Sequence, residues 1–408
     1  MERSRVIIVG AGAAGCMAAV TAARKGLHVT LIDKNQKIGR KLLITGKGRC
    51  NVTNNCDMDT LIASVPTNAR FLYSAFSAFT PSNTIDFFES CGVRLKTERG
   101  NRVYPQSDKS IDIIDAFFHL ILKNKINLVN DAVTDLIIED NTILGVKSDA
   151  SSYYADSVII CCGGCSYPQT GSDGYGYVLA KQAGHSIVEP RPSLVPIVTK
   201  EDWCSLMQGL SLKNVAITVR NDKNKTVYSD FGEMIFTHYG ISGPIVLSAS
   251  AHMNLKKTSN YTISIDLKPA LSAEQLDKRI QRDFEKYINK DIINSLGDLL
   301  PKKSIPVIVE LSGIDFHTKC HEITRQQRNR LSEVIKKLTL TFDSFRPIEE
   351  AIVTSGGVSV KEINPKTMGS KLVRGLYFAG EVIDVDAYTG GFNLQIAFST
   401  GFLAGSAV

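Results

Sequence analysis

The chain opens with Val6-Ile7-Ile8-Val9, an unbroken β-branched run of the kind that fills a buried parallel strand. A glycine-rich turn follows at Gly10–Gly15. Then comes an alanine-rich stretch from Met17 to Lys25, which predicts a helix. A second apolar run, Val29-Thr30-Leu31-Ile32, ends at Asp33. Ile111 to Lys123 has helical spacing, Ala132–Ile138 and Gly145–Lys147 suggest a hairpin, and Ser157–Cys162 is another buried strand. Pro190, Pro192 and Pro196 then punctuate the chain, and a domain boundary is expected there. Residues 213–267 alternate in strand fashion: Val215, Ile217 and Val219 share a face, Asn221-Asp222-Lys223-Asn224 turns the chain, and Tyr261–Leu267 is a later strand. Residues 270–340 read as helical. Ser272…Gln275 and Thr324…Gln327 have capping-box spacing. The chain closes with the apolar strand Leu376-Tyr377-Phe378-Ala379 and a helix from Ile396 to Ala407.

Composition narrows the classes. The 408 residues are 43% hydrophobic and 22% charged, and mean hydropathy is near zero. A chain of this make-up buries a large core, which excludes disordered, collagen-like and coiled-coil proteins. Forty-seven basic against 41 acidic residues give +6, compatible with RNA or an acidic substrate and requiring neither. Nine scattered cysteines are unlike a secreted disulfide framework and point to a reduced, cytoplasmic setting. Arg3 and Arg5 before the apolar Val6–Ala23 imitate a signal peptide. The glycines inside that stretch and the strand right after it fit a cofactor turn better. No other run is apolar for about 18 residues, so no membrane span is expected.

The first segment carries specific chemistry. Strand, Gly10-Ala11-Gly12-Ala13-Ala14-Gly15, helix, strand and Asp33 form a dinucleotide-binding unit. Gly10 permits the turn, Gly12 lets backbone approach a pyrophosphate, and Gly15 brings the helix close to the strand. The helix N-terminus, with Ala13 and Ala14 in its first turn, offers free N–H groups to phosphate, and Asp33 can accept from ribose hydroxyls. The next segment favours FAD over NAD. From Gly39 to Asn54 it is basic, glycine-rich and small-polar, and its Arg40, Lys41, Thr45, Gly46, Gly48, Arg49, Cys50 and Asn51 can wrap a phosphate and a ribityl chain. A matching half lies at the other end. Gly163-Gly164 returns a strand to the cofactor, Gly380-Glu381 ends another, and Asp384 precedes Gly390-Gly391-Phe392-Asn393-Leu394. A helix N-terminus near Asn393 could face the flavin N1/O2 edge and stabilise the anionic reduced flavin.

On GAGAAG at 10–15, GRKLLITGKGRCNVTN at 39–54, GGCSYPQTGSDGYGYVLA at 163–180, the 236–244 segment, and EINPKTMGSKLVRGLYFAGEVIDVDAYTGGFNLQIAFSTG at 362–401, the chain resembles the bacterial flavoprotein family named after YhiN, BaiN and aminoacetone oxidase. The resemblance implies an α/β fold: a glutathione-reductase-type, Rossmann-like FAD domain, split in sequence, with inserted β and helical domains. The corresponding expectation is FAD domain at 1–190 and 345–408, β domain at 191–268, and a helical segment at 269–344 returning to the β domain. The same resemblance implies FAD, with Lys34 in its site and the backbone near Val133 meeting the adenine. It links the chain to aminoacetone oxidation, to reductive bile-acid chemistry and to dihydrouridine in ribosomal RNA. Two departures stand out: Gly369 where an acid is expected, and Cys161-Cys162 where small residues are expected.

The function expected is an FAD-dependent oxidoreductase, with NAD(P)H reducing a C=C bond that could be that of a uridine in ribosomal RNA. The alternatives are a flavin oxidase of a small amine such as aminoacetone, or an RNA-binding assembly factor with structural FAD. No second strand-GxGxxG-helix unit follows at mid-chain, so NAD(P)H would bind transiently. His238 and Tyr239 are the candidates for acid–base work, with Cys50 as a lone reactive thiol. Cys162 and Cys165 have CxxC spacing, which reads more simply as small residues around a turn. His317 and His321 lack a third ligand, so no metal is expected. From Lys268 to Lys337 there are 14 basic and 10 acidic residues, a surface that could face RNA but whose interspersed acids suit an ordinary solvated helix pair. The partner is a small molecule or ribosomal RNA; sequence leaves the oligomeric state open.

Overall fold

Strand β1 (Arg5–Val9) is the middle of a five-stranded sheet, and Val6 to Val9 are all buried. Around it stand β2 (His28–Asp33), β3 (Asn127–Asn130), β4 (Ser157–Ile160) and β5 (Leu376–Phe378), in the order β5-β4-β1-β2-β3. Every pairing is parallel, which is what an uninterrupted β-branched strand favours. The computed structural model describes residues 4–253, 258 and 260–408, so Arg3 lies outside the described residues. The chain divides into two units, one of Met1–Ser193 with Pro347–Val408 and one of Leu194–Arg346, each with its own apolar core.

In the first unit, helix α1 (Ala13–Arg24) follows β1 and helix α2 (Phe392–Ala407) ends the chain. The two pack at glycine contact. A Cβ on Gly401 would stand 2.4 Å from the Ala14 carbonyl oxygen, and one on Gly405 2.5 Å from that of Ala18. The expected helix forms at Ile111–Lys123, and the hairpin forms as Val133–Glu139 against Thr142–Ser148.

The division between the units falls within the proline stretch, between Ser193 and Leu194. Pro190 and Pro192 lie inside a strand, Ile187–Ser193, paired antiparallel with Val353–Val358. The register shifts between Val188 and Arg191, so Pro190, which has no N–H to donate, sits at the irregularity of a two-stranded sheet. The strand that leaves this unit thus pairs with the strand that returns to it.

In the second unit six strands close into a barrel in the order Ile197–Thr199, Gly240–Ser242, Thr226–Thr237, Ser211–Arg220, Thr262–Asp266, Leu338–Phe345. All its ladders are antiparallel, so no second βαβ dinucleotide unit is present among its described residues. The strand reading of 213–267 fails at Pro244–His252, which is a helix. Gly243 at φ +100° and Pro244 at the first helical position start it. Its short apolar run has a period too brief to separate helix from strand. Helices Ala273–Lys286, Ile305–Leu311 and Arg325–Lys336 leave and rejoin a single barrel hairpin, in which Ile263 faces Leu340. Both capping boxes form: Ser272 and Thr324 each accept from the N–H of their glutamine at 3.2 Å, and each glutamine Oε1 accepts from the cap N–H at 2.9 Å. No helix among the described residues is long and apolar enough to cross a membrane.

Candidate functional site

The turn between β1 and α1 is built as the GxGxxG spacing requires. Gly10 has φ +102°, and a Cβ there would lie 2.6 Å from the Cys161 carbonyl oxygen. At Gly15 a Cβ would lie 1.8 Å from the Gly10 carbonyl oxygen. Gly12 differs, because a Cβ there meets nothing within 4 Å. Gly12 is also the N-cap of α1 and provides no side-chain hydrogen bond, so the N–H end of the helix opens onto free space. Ala13 and Ala14 add no bulk. A space at the one glycine facing an uncapped helix end fits a pyrophosphate. Asp33 is already engaged: it accepts from Ala11 N at 2.6 Å and from Asn35 N and Nδ2 at 2.7 and 2.9 Å. Its carboxylate therefore ties the end of β2 to the turn. Asn35, which sequence reading missed, also accepts from Arg40 Nη1 at 2.6 Å. Lys34 pairs with Asp173 at 2.5 Å.

The 39–54 segment is less open than its composition suggests. Arg40–Ile44 is a short helix rather than loop, with Gly39 left-handed before it. Thr45 Oγ1 donates to Leu42 O at 2.7 Å. Gly46 and Gly48 have positive φ, and Gly46 lies against the Asn51 backbone. Arg49 faces Glu98 and Asp108, both at 2.5 Å, with its guanidinium 4.2 Å from the Tyr104 ring centre. It braces a neighbouring hairpin, so its expected place on a phosphate is not what this geometry shows. Cys50 is fully buried, and burial pushes its thiol up to about 12. That removes the thiolate a reactive cysteine needs at neutral pH.

Distant segments converge on Glu381. Its Oε2 accepts from Lys41 Nζ at 2.7 Å, and its Oε1 accepts from Ser166 Oγ at 3.0 Å and Thr354 N at 2.8 Å. Lys41 also donates to Ser166 at 2.6 Å, and Thr354 Oγ1 accepts from Cys165 N at 2.8 Å. Gly164 lies under Thr354, where a Cβ would be 2.4 Å from Oγ1, and Gly163 turns at φ +75°. Gly380 sets its backbone against α1, since a Cβ there would be 2.8 Å from that of Ala14. Lys41, Gly163, Gly164, Gly380 and Glu381 thus come together with the GxGxxG turn. Ser166 and Thr354 join them and carried no signal of their own in the sequence.

A second convergence surrounds the start of α2. A Cβ on Gly391 would be 2.3 Å from the Thr53 carbonyl oxygen. Asn54 Nδ2 donates to Gly390 O at 3.0 Å. The Asn51 amide, oriented to satisfy both ends, accepts from Gly391 N and donates to Thr53 O. Gln395, also missed, is fully buried and accepts from Thr53 and Thr84 hydroxyls at 2.6 and 2.8 Å. Asn393 turns back to the chain before it, accepting from Ala387 N at 2.9 Å and donating to Ala387 O at 2.7 Å. No side chain caps α2 from Gly391, so the N–H groups of its first turn, at Phe392 and Leu394, are open to an anionic edge. Asp384 accepts from Asn68 Nδ2 at 2.9 Å. Val133 is buried at the start of its hairpin.

His238 and Tyr239 stand at the tip of a barrel hairpin in the second unit. His238 is exposed, and Tyr239 lies 4.7 Å below the Arg346 guanidinium. All nine cysteines, Cys162 and Cys165 included, are free thiols. Among the described residues no three His, Cys, Asp or Glu stand close enough to share a metal ion. At Gly369 any side chain would press on the Tyr377 ring, where a Cβ is already 3.2 Å away.

The family described as "HI0933-like protein Rossmann domain" matches residues 4–407. The chain belongs to the HI0933-like family. It is an FAD-dependent oxidoreductase on a Rossmann-type flavin domain. Among HI0933-like relatives it is similar to a 3-dehydro-bile acid delta(4,6)-reductase of Clostridium scindens, 32% identical over 99% of this chain and 98% of that one. It is also similar to a ribosomal RNA dihydrouridine synthase of Haemophilus influenzae, 30% identical over 98% and 97%. The fold is like that of a 3-ketosteroid delta1-dehydrogenase from Sterolibacterium denitrificans, with a TM-score of 0.53, 14% identity and 99% of both chains covered.

Proposed function

We propose that this HI0933-like enzyme adds hydride and proton across a carbon–carbon double bond conjugated to a carbonyl, with NAD(P)H as transient reductant and a uridine of ribosomal RNA as substrate. One observation carries the reading: two relatives matched over nearly their whole length have unlike substrates and the same bond chemistry. A delta(4,6)-reductase of a 3-dehydro compound saturates an enone-type C=C, and a dihydrouridine synthase saturates C5–C6 of a uracil. The FAD, when bound, supplies the hydride.

The chain's own residues do the rest. The space at Gly12 and the end of α1 would hold the pyrophosphate. The braced Lys41–Glu381 pair would fix the ribityl side. The free N–H end of α2 would favour negative charge on the cofactor edge it faces. NAD(P)H is assigned a transient visit because the second unit's described ladders offer no dinucleotide fold. Nucleoside mass spectrometry of ribosomal RNA from a deletion strain tests the substrate. Dihydrouridine should disappear on deletion and return with the gene. An unchanged level sinks the uridine assignment and moves the search to small enones, and to oxygen uptake with amines such as aminoacetone.

A further inference from the structure

Where the chain leaves the barrel of the second unit for its helices, a cavity of about 240 Å³ lies at the barrel's end. It is bounded by the start of the strand Ser211–Arg220, by the residues just past Thr262–Asp266 and by the 300–304 segment. Its walls are apolar at Leu212, Leu300 and Pro301, and Lys213, Asn214 and Lys268 bring polar groups to it. Among the described residues no Asp or Glu lines it. The pairing of Ser211–Arg220 with Thr226–Thr237 shifts register between Leu212 and Val215. Lys213 and Asn214 therefore stand on a bulge, which re-aims side chains that regular alternation would fix.

Lys268 is a cation without a counter-charge. The acid two residues before it, Asp266, is spent at both oxygens: Oδ1 accepts from the Lys268 N–H at 2.9 Å, and Oδ2 pairs with Lys336 Nζ at 2.6 Å. Lys336 also donates to the carbonyls of Lys268 and Leu271, at 3.2 and 2.7 Å. That knot ties the strand end to the end of the helix Arg325–Lys336 and leaves the Lys268 ammonium out. Among the described residues the ammonium makes no hydrogen bond and no ion pair. The charge that acts on it is of the same sign: Arg279, whose Nε is held by Asp283 at 2.9 and 3.0 Å. Partial burial, and then that like charge, push the Lys268 ammonium below its ordinary value. A partly desolvated cation in a cavity without an acid carries an uncompensated cost, and a bound anion would relieve it. The form of the anion follows from the other walls. The volume lies below the ~300–1,000 Å³ of pockets for drug-sized molecules, so it suits one ring and not a fused-ring body. Apolar walls take the faces of a planar ring, the Asn214 amide offers a donor and an acceptor to its edge, and lysines hold phosphate as point charges. Single-stranded RNA is gripped by these means, with bases on apolar or aromatic surface and phosphates on cations.

We propose that the cavity at the end of the barrel holds one pyrimidine nucleotide of single-stranded RNA, with its base against Leu212, Leu300 and Pro301 and its two flanking phosphates on Lys213 and Lys268. RNA as the source of that nucleotide rests on the uridine reading above. No bond is made or broken in the cavity, which grips the strand.

The test uses the flavin-loaded full chain and a short oligouridylate that carries one 4-thiouridine. Under light the oligonucleotide should crosslink to wild type, and peptide mapping should place the link within 207–215, 267–268 or 300–304. Lys213→Gln combined with Lys268→Met should lower the slope of log affinity against log salt by about 1.4, near 0.7 for each phosphate no longer neutralised on a single strand. Lys268→Met should melt no lower than wild type, because it removes an uncompensated cation, so weaker binding is not lost fold. Lys213→Gln alone, at an exposed position, should lower the slope by about 0.7 and keeps the test open should Lys268→Met fail to fold. A crosslink mapped elsewhere, or an unchanged slope, overturns the site. Oligouridylate that binds no tighter than UMP overturns RNA as the occupant in favour of a free nucleotide. The deletion strain separates this proposal from the uridine reading. If wild type restores dihydrouridine while the double variant keeps the wild-type slope, the cavity has failed and the uridine reading stands. If wild type restores none, the uridine reading has failed, and the crosslink and the slope decide the cavity alone.

Discussion

At the scale of single residues, Gly12 and Gly15 carry the same letter and opposite constraints. The free space at Gly12 means Gly12→Val should fold with stability within about 1 kcal/mol of wild type while its side chain occupies the pyrophosphate's place. The purified protein should be colourless with an unchanged far-UV dichroism spectrum; a yellow, fully loaded variant would remove Gly12 from the site. Gly15→Ala puts a methyl 1.8 Å from a backbone oxygen that cannot yield, and should cost about 2 kcal/mol or more in a denaturant titration. The glycine spacing was legible because each glycine answers a local demand. Arg49 was not, because its partners Glu98 and Asp108 lie 49 and 59 residues away and a basic loop looks the same whether it meets phosphate or carboxylate. Cys50 shows the same blindness to burial. With its thiol pushed up to about 12, it should stay unmodified when native enzyme meets iodoacetamide at neutral pH. Peptide mapping that finds Cys50 alkylated as fast as an exposed cysteine would contradict the buried assignment.

At the scale of elements, the site depends on braces between segments far apart in the chain. Strand, turn and helix at 5–24 could be read from period and glycines, and so could the α2 helix, though it starts at Phe392 rather than Ile396. What could not be read is that Lys41 and Glu381 bind each other, or that Asn51, Asn54 and Gln395 fasten Gly390–Gly391 to the first half of the unit. Such pairings are set by topology, and a single sequence carries no trace of them. The Lys41–Glu381 pair is 24% and 20% exposed, sheltered enough that losing one charge matters. Glu381→Gln should lower stability by about 1–3 kcal/mol, because the Lys41 ammonium keeps its desolvation and loses its counter-charge. It should weaken flavin retention as well. An unchanged denaturation midpoint with full flavin would show the brace to be idle. Gly401→Ala tests the other brace. Its methyl would meet the Ala14 carbonyl in the first turn of α1, so separation of the helices should loosen the pyrophosphate end and lower flavin content along with stability.

At the scale of the molecule, the question is whether the basic excess serves RNA. Four of the chain's six net positive charges fall between Lys268 and Lys337, a count that alone suggests a polyanion surface. The geometry divides that count. Arg328 pairs with Asp277 at 2.7 Å, Lys336 with Asp266 at 2.6 Å, Lys319 with Asp291 at 2.6 Å and Lys286 with Asp298 at 2.7 Å. Lys303 donates to the Gln208 carbonyl. Much of the charge is thus spent on partners within the second unit, and composition could not separate those cations from the exposed Lys302 and Arg325. The two sets should behave differently when reversed. Arg328→Glu faces Asp277 across a half-buried gap and should cost about 1–3 kcal/mol with or without RNA. Lys302→Glu with Arg325→Glu should leave the denaturation midpoint within about 1 kcal/mol. If the excursion touches RNA phosphates, binding to ribosomal RNA should weaken and the slope of log affinity against log salt should fall by about 1.5, near 0.7–0.9 for each phosphate no longer neutralised. An unchanged slope in the double variant, with Arg328→Glu destabilised as expected, would show that the paired cations serve the fold and that RNA, if bound, is gripped elsewhere.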